Sequence, residues 1–208
     1  MKKTLAIVAL LVMVVSVVSA GSVYLDSGVS FLNGSRKTEI NDVTSENKVE
    51  YSNSYIPLEV GYREAFDNGV VVPGSAEVFF NLSEKINGHT TDGDKNFPTH
   101  FSLKAQAGYG MEINEKLAAE FLGGFSYAFG SVKEDKVKTS FSTINLTAEA
   151  GVKYEIVDSI TLRAGAKIGI PFTTTMKTKV DGASDSFKIK LSGFVFNITP
   201  FVGAAYQF

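Results

Sequence analysis

The sequence predicts an all-β protein: an eight-stranded antiparallel up-and-down transmembrane β-barrel. Three observations predict this fold. Apolar residues recur at every second position from Gly21 onward, connections alternate between short and long, and no apolar run after residue 20 is long enough for a membrane-spanning helix. A chain without such helices has to cross a membrane with strands, because every backbone polar group must be paired there.

The first twenty residues are predicted to be a signal peptide and not part of the fold. Lys2 and Lys3 precede an apolar stretch that ends at Val18, and small residues follow it as in a cleavage site. The alternative is a retained membrane helix, but the stretch is short for a span of about 20 residues. The predicted organisation is a signal peptide at 1–20 and one outer-membrane β-barrel domain at 21–208.

Eight segments alternate apolar and polar residues, which is the pattern of strands with one apolar face. They are 24–32, 56–62, 70–82, 101–111, 117–129, 144–154, 160–172 and 194–208. Their apolar faces include, in order, Leu25 and Phe31; Ile56, Leu58 and Val60; Val72, Val78 and Phe80; Leu103 and Ala105; Phe121 and Phe125; Leu146 and Val152; Leu162 and Ile168; Ile198 and Val202. The first segment is the weakest. The apolar–polar alternation shifts by one residue near Tyr51 and near Leu191, which predicts bulges or strand ends above the bilayer.

The connections alternate in length along the chain. Short ones lie at 67–69, 114–116 and 157–159, and long polar ones lie near 33–48, 84–99, 131–139 and 174–186. Four long loops and three short turns define eight strands with both termini at the short-turn end. Barrels of bacterial outer membranes have short periplasmic turns and longer extracellular loops.

The polar faces of the strands carry five acids and five bases. They are Asp26, Glu59, Glu77, Glu120 and Glu149, with Arg63, Lys104, Lys153, Arg163 and Lys167. Inside a narrow barrel an unpaired charge costs several kcal/mol, so acids and bases should balance, and the sequence predicts an ion-pair network in the lumen. A soluble barrel of lipocalin type would alternate similarly with its apolar face inside, but nothing on a solvated exterior requires such balance.

The distance from the nearest short turn sorts most of these charges into two levels. The lower level holds Arg63, Glu120, Lys153 and Arg163, and the upper level holds Glu59, Glu77, Lys104, Glu149 and Lys167. At roughly 3.3 Å per residue along tilted strands, two stacked layers are expected about 10 Å apart.

Aromatic residues on the apolar face also fall at two levels. Tyr62, Tyr109, Tyr154 and Tyr206 lie near the short-turn end, and six phenylalanines (31, 80, 101, 129, 172 and 194) lie toward the other end. Tyrosine at an interface keeps its ring in the acyl boundary and its hydroxyl in water, so the four tyrosines are predicted to form a membrane girdle.

The ending from Val202 to Phe208 resembles the C-terminal signature of outer-membrane barrels, with Tyr206 and Phe208 as its assembly signal. In that class the signature implies recognition by the barrel-assembly machinery. Signal peptide, strand pattern and terminal Phe together resemble the small eight-stranded barrels of the OmpA transmembrane-domain, OmpX and OmpW class. The resemblance implies export to the cell outer membrane, where lipid surrounds the barrel.

Composition excludes several function classes. Without Lys2 and Lys3, 18 of the 20 basic residues remain against 22 acidic ones, a net charge of −4 that argues against nucleic acid as a partner. The absence of cysteine excludes thiolate catalysis, cysteine-based zinc sites and disulfides. No cofactor or metal is expected. The long loops mix charge signs, so no large basic patch for lipopolysaccharide phosphates is expected either.

One set of residues invites an enzymatic interpretation. His100, Ser102 and a downstream acid, Glu112, resemble the His, Ser and acid triad of barrel enzymes that remove acyl chains from lipid A. Ten residues along one strand separate Ser102 from Glu112 by about 30 Å, so this pair cannot touch. No catalytic residue is predicted, and the protein is not expected to be an enzyme.

Two functions remain open. The first is a structural or surface-interaction role, adhesin-like, carried by long extracellular loops above a charge-filled lumen. The alternative is a narrow channel for small or apolar solutes, as in the OmpW class. Pro57, Pro73, Pro171 and Pro200 each remove a ladder bond and mark either a bulge without a transport role or a gap that opens a lateral exit. The extracellular ligand is not identified by any motif.

Overall fold

The computed structural model describes residues 21–40, 43–90, 100–134, 137–180 and 186–208, so the predicted signal peptide lies outside the described residues. The strands are β1 (Ser22–Gly28), β2 (Ser30–Ile40), β3 (Val43–Ala65), β4 (Val70–Ile86), β5 (His89–Thr90), β6 (His100–Asn114), β7 (Leu117–Glu134), β8 (Val137–Val157), β9 (Ile160–Val180), β10 (Ser186–Ser192) and β11 (Val195–Gln207). Within the described ranges, no helix has the length and apolarity needed to cross a membrane.

These strands close into one antiparallel ring. β1 and β2 are two halves of the first barrel strand, β10 and β11 are two halves of the last, and β5 is a short piece paired with the end of β4. Each of the eight barrel strands pairs with its neighbours in sequence, and β1 pairs with both β3 and β11, which closes the barrel. The prediction of an eight-stranded up-and-down barrel is confirmed. Within the described ranges, closure pairs the first barrel strand with the last, so both edges of the sheet are covered.

The short connections lie where the sequence predicts them. β3 ends at Ala65 before β4 begins at Val70, and only two residues separate β6 from β7 and β8 from β9. The first turn uses a positive backbone φ of 84° at Gly69, which glycine adopts without steric cost. In the second turn the Asn114 side-chain oxygen accepts the backbone N–H of Leu117 at 2.9 Å. Asparagine and glycine therefore fix these turns locally.

The two predicted phase slips are also present as irregularities. The pairing of β3 with β4 shifts register between Ser54 and Tyr55. At the other site β10 ends and β11 begins on either side of Gly193, whose φ is 143°. Both irregularities belong to the long-loop half of the barrel, where the outer surface leaves the apolar band.

The long connections differ from the prediction, because strands continue through most of the segments expected to be loops. β3 has 23 residues, and β8 and β9 have 21 each, whereas a strand needs about 9–11 residues to cross a bilayer. Beyond the lipid, both faces of a strand are wet, so the apolar alternation fades although the backbone ladder goes on. Segments 33–48, 131–139 and 174–186 were therefore wrongly predicted as loops over the parts that β2, β3 and β7 to β10 occupy.

The two faces of the wall have opposite chemistry. Leu103, Phe121 and Ile168 are 46%, 55% and 45% exposed on the outside. Glu59 and Asp26 are 1% and 2% exposed inside. Large apolar side chains outside and buried charges inside are the reverse of a soluble barrel. This sidedness requires an apolar medium around the barrel.

Candidate functional site

The lumen is the candidate functional site, and period-two alternation brings the charged side chains into it. The structure places all ten sequence-selected charges on the inner face. Asp26, Glu59, Arg63, Glu77, Lys104, Glu120, Glu149 and Arg163 are buried, and Lys153 and Lys167 are partly buried. They come from seven of the eight barrel strands, whereas β11 supplies Phe201 and Ala205 to the interior.

Glu59 on β3 is the best-connected of these groups. Lys104 donates to one of its carboxylate oxygens at 2.7 Å and Lys167 to the other at 2.5 Å. The Tyr24 hydroxyl donates to the first oxygen at 2.9 Å. Three donors engage a carboxylate whose side chain is 1% exposed, which offsets the cost of burying its charge.

Arg163 on β9 links two further acids. One guanidinium nitrogen donates to Asp26 at 2.7 Å, and the other donates to Glu149 at 2.9 Å. The same guanidinium lies 4.2 Å from the centre of the Tyr24 ring and 5.6 Å from that of Phe201. The two rings add a cation–π attraction to these ion pairs.

These contacts close into a ring of alternating acids and bases, which we call the charge ring. Lys167 joins Glu59 to Asp26 at 3.0 Å, and Lys104 joins Glu59 to Glu149 at 3.7 Å. In order, the members of the charge ring are Asp26, Arg163, Glu149, Lys104, Glu59 and Lys167. Three acids and three bases leave no net charge, and the ring joins β1, β3, β6, β8 and β9 across the lumen.

A second, smaller cluster lies nearer the short-turn end. Glu120 on β7 contacts the Arg63 guanidinium, and Lys153 lies 3.0 Å from the same carboxylate. Both bases and the shared acid line a cavity of about 780 Å³ that extends to the turns, with Asn68 and Lys116 at its rim. The lumen is therefore open below this cluster and filled by charged side chains above it.

Two details of the network differ from the two-layer prediction. Arg163 was assigned to the lower level, but it pairs with Glu149 of the upper level and with Asp26, which was assigned to neither level. Residue counts along separate strands ignore the shear between strands and the reach of a long side chain. Glu77 was expected to be paired, but among the described residues no base lies within ion-pair distance of its carboxylate. It stands directly opposite Glu59, which already engages Lys104.

Toward the long-loop end the lumen holds an aromatic cluster that the sequence reasoning missed. The His100 ring stacks on Phe79 with centroids 4.3 Å apart, and Tyr55 and Phe141 contact it edge-on at 5.3 and 5.8 Å. Gly130 leaves room for this packing, since a β-carbon there would meet Phe141. These rings occupy inward-facing positions of their strands, but only the charged residues at such positions were selected from the sequence.

The predicted girdle tyrosines lie on the outer wall. Tyr109, Tyr154 and Tyr206 are about half exposed, and Tyr62 is partly covered and donates a hydrogen bond to Glu64. At the opposite end Phe80, Phe129, Phe172 and Phe194 project outward. The predicted assembly-signal residues Tyr206 and Phe208 contact each other edge-on at 5.4 Å, and Phe208 is 68% exposed.

The residues considered for a triad do not converge. Ser102 is buried in the lumen opposite Ala128, whereas Glu112 is exposed near the short turn opposite Ala118. His100 is engaged in the aromatic cluster. Within the described ranges no group of three or more histidines and acids is placed to hold a metal ion.

Comparison with solved structures finds the same architecture. Outer membrane protein OprG from Pseudomonas aeruginosa aligns with a TM-score of 0.62 at 12% identity, over 91% of this chain and 96% of that one. Neisserial surface protein A aligns with a TM-score of 0.53 at 15% identity, over 89% and 97%. A major outer membrane protein from Thermus thermophilus gives 0.50 at 16% identity, over 90% and 99%. At these identities the likeness concerns the fold alone.

Comparison with curated protein sequences finds no match. A family model described as the outer membrane protein beta-barrel domain matches residues 5–196, which is most of the chain. Lipid-facing apolar strands, a closed antiparallel ring and a charged interior are what such a domain requires. The chain therefore belongs to the outer membrane protein beta-barrel domain family and is located in the outer membrane.

Proposed function

We propose that this protein is a closed, structural barrel that displays a strand-built surface outside the cell and makes its contacts there. The charge ring is the observation that carries this proposal. Its six side chains bridge the lumen between opposite walls, with Tyr24 and Phe201 packed against them. An eight-stranded barrel has an interior just wide enough for such side chains, so no wide aqueous path remains.

The length of the strands supports the surface role. β3, β8 and β9 are about twice as long as a bilayer crossing requires. The additional residues continue the hydrogen-bonded sheet beyond the apolar band at the long-loop end. A projecting sheet offers a more rigid platform for partners than loops do. Lipid against the apolar wall and the barrel-assembly machinery during biogenesis are the other partners we propose, and we propose no catalytic role.

Conductance in planar lipid bilayers tests the closed lumen. The wild-type protein should give little or no current, and a variant that removes one matched pair, Glu59→Ser with Lys104→Ser, should conduct measurably more. Leu103→Ala is the matched control, because Leu103 neighbours Lys104 but faces outward. Large, steady, ohmic channels from the wild-type protein would contradict the proposal.

A narrow channel for small apolar solutes is the second candidate, and a break in the wall favours it. The pairing of β4 with β6 runs from Val71–Gly108 directly to Gly74–Ala105, so the ladder is interrupted at Val72 and Pro73. Val71 also lines the 780 Å³ cavity at the short-turn end. A solute in that cavity would therefore lie close to an interruption facing lipid.

Solute uptake into proteoliposomes separates the two functions. If the interruption is an exit, Pro73→Ala restores a backbone N–H, closes the ladder and should abolish the uptake of a small apolar solute. Pro200→Ala is the control, because Pro200 is paired opposite Ala166 within a continuous part of the ladder. If the wild-type protein takes up no solute, the channel function is excluded and the surface role is the remaining proposal.

A further inference from the structure

The outer surface above the apolar band carries a row of lysines that adjacent strands bring together. Lys138 on β8 and Lys179 on β9 are direct partners in the antiparallel ladder. Lys177, two residues before Lys179, is on the same face, and all three side chains are exposed. Like charges directly opposite each other destabilise a sheet, so the arrangement calls for a compensating anion.

The orientation of these lysines follows from their neighbours. Thr139 and Thr178 share a hydrogen bond at 3.3 Å, as do Thr143 and Thr174 at 3.1 Å, with Thr174 buried on the inner face. Side chains alternate along a strand. The intervening positions, among them Lys138, therefore point away from the lumen, toward the medium that surrounds the barrel.

Among the described side chains of β8 and β9, the row has no acidic neighbour on its own face. Beyond Ile144 and Phe172, the last large apolar residues on this outer wall, the outward positions of β8 and β9 in the described part of the chain are serine, threonine and lysine. By register, Lys133 on β7 lies opposite Lys138, and Lys188 on β10 lies opposite Lys177. The basic positions thus extend across four adjacent strands.

The height of Lys177 matches the headgroups of the outer leaflet, and Lys138 and Lys179 lie two residues farther out. Lys177 pairs with Ser140, four residues beyond Ile144, which is about 13 Å along the strand and about 10 Å along the tilted barrel axis. Headgroups extend about 5–7 Å beyond the hydrocarbon on each side. A lysine side chain bends toward them by several ångströms, with its stem on the wall and its ammonium in the polar layer.

We propose that Lys138, Lys177 and Lys179 form a docking row for the phosphate groups of lipids in the outer leaflet. A phosphorylated lipid whose acyl chains pack against Phe172 presents its phosphates first to the Lys177 ammonium, with Lys138 and Lys179 about 5 Å farther out along the barrel axis. The row would then fix the barrel against specific lipids and compensate the repulsion between Lys138 and Lys179. The apolar band directly below the lysines favours a lipid as the partner over a soluble anion.

Lipid retention by the full mature barrel in detergent micelles tests this docking row. Native mass spectrometry would compare a lipid A that carries two phosphates with its phosphate-free analogue. The wild-type barrel should bind the phosphorylated lipid at least about tenfold more tightly, and the preference should weaken with salt. The variant with Lys138→Gln, Lys177→Gln and Lys179→Gln should lose that preference.

A matched control removes the same charge elsewhere. Lys48→Gln, Lys85→Gln and Lys116→Gln change three exposed lysines outside the row and should keep the preference. Lys177→Gln alone is the milder variant and should lose roughly fivefold in affinity; heat-modifiable gel mobility verifies folding. Equal binding of both lipids by the wild-type protein would overturn the proposal. So would lysine-dependent binding of heparin without any preference between the lipids, because the partner would then be a soluble polyanion.

Discussion

Glu59→Gln is the perturbation that probes the charge ring most directly. The substitution keeps the volume of the side chain and removes only its charge. In the wild-type protein Lys104 and Lys167 contact this carboxylate at 2.7 and 2.5 Å, and the side chain of Glu59 is 1% exposed. The variant therefore loses two buried charge-assisted contacts at once.

The expected cost follows from what remains around each lysine. A hydrogen bond to a charged group contributes about 1.5–3 kcal/mol, and removing one partner of a buried ion pair costs about 3–5 kcal/mol. Lys167 keeps Asp26 at 3.0 Å and Lys104 keeps Glu149 at 3.7 Å, so neither base is left without a carboxylate. We expect Glu59→Gln to lower the free energy of unfolding by about 3 kcal/mol.

Urea unfolding of the protein in phospholipid vesicles, followed by far-UV circular dichroism, measures this loss. Glu115→Gln, in an exposed turn, is the control and should stay within about 0.5 kcal/mol of the wild-type value. Lys104→Gln and the double variant complete a thermodynamic cycle, in which we expect a coupling of about 1–3 kcal/mol between Glu59 and Lys104. An unchanged urea midpoint for Glu59→Gln, or additive single effects, would refute the ring.

Three other substitutions test separate parts of the structure. Glu77→Leu should leave the free energy of unfolding unchanged or raise it in the same urea assay, because it replaces a buried acid that has no ion-pair partner among the described residues; a loss as large as that of Glu59→Gln would contradict its placement. Gly61→Ala places a β-carbon against the Tyr24 ring, so it should cost about 1–3 kcal/mol in urea and shift the near-UV dichroism of that ring, and wild-type values for both would be inconsistent with the packing. Phe208→Ser should reduce the amount of folded barrel in cell envelopes, because Phe208 is 68% exposed and therefore open to recognition during assembly; unchanged envelope levels would remove it from the assembly signal.

The strands could be predicted from the sequence wherever lipid touches the wall. Lipid imposes an apolar residue at every second position, and this produces the pattern around Leu103, Phe121 and Ile168. The inward parity of the ten charges follows from the same rule. Outside the bilayer an apolar residue is no longer required at every second position. For that reason the outer parts of β8 and β9 have the sequence pattern of loops, although they continue the hydrogen-bonded ladder.

Partner choice inside the lumen could not be predicted from the sequence. It depends on the shear of the barrel and on side-chain reach, which residue counts along single strands do not contain. Arg163 therefore pairs one level higher than expected, and Glu77 is displaced from Lys104 by Glu59. The lysine row could not be predicted for a similar reason. Lys138 and Lys179 are far apart in the chain, and only the register of β8 with β9 makes them neighbours.

The most direct test of the account is the sidedness of β6 in a membrane. The chain has no cysteine, so single cysteines for spin labels can be introduced one at a time from 102 to 107. In lipid vesicles, labels at Leu103, Ala105 and Ala107 should be accessible to oxygen dissolved in the hydrocarbon, and labels at Ser102, Lys104 and Gln106 should not. The reverse alternation, with water-soluble reagents reaching Lys104 and neither reagent reaching Leu103, would contradict a lipid-facing apolar wall.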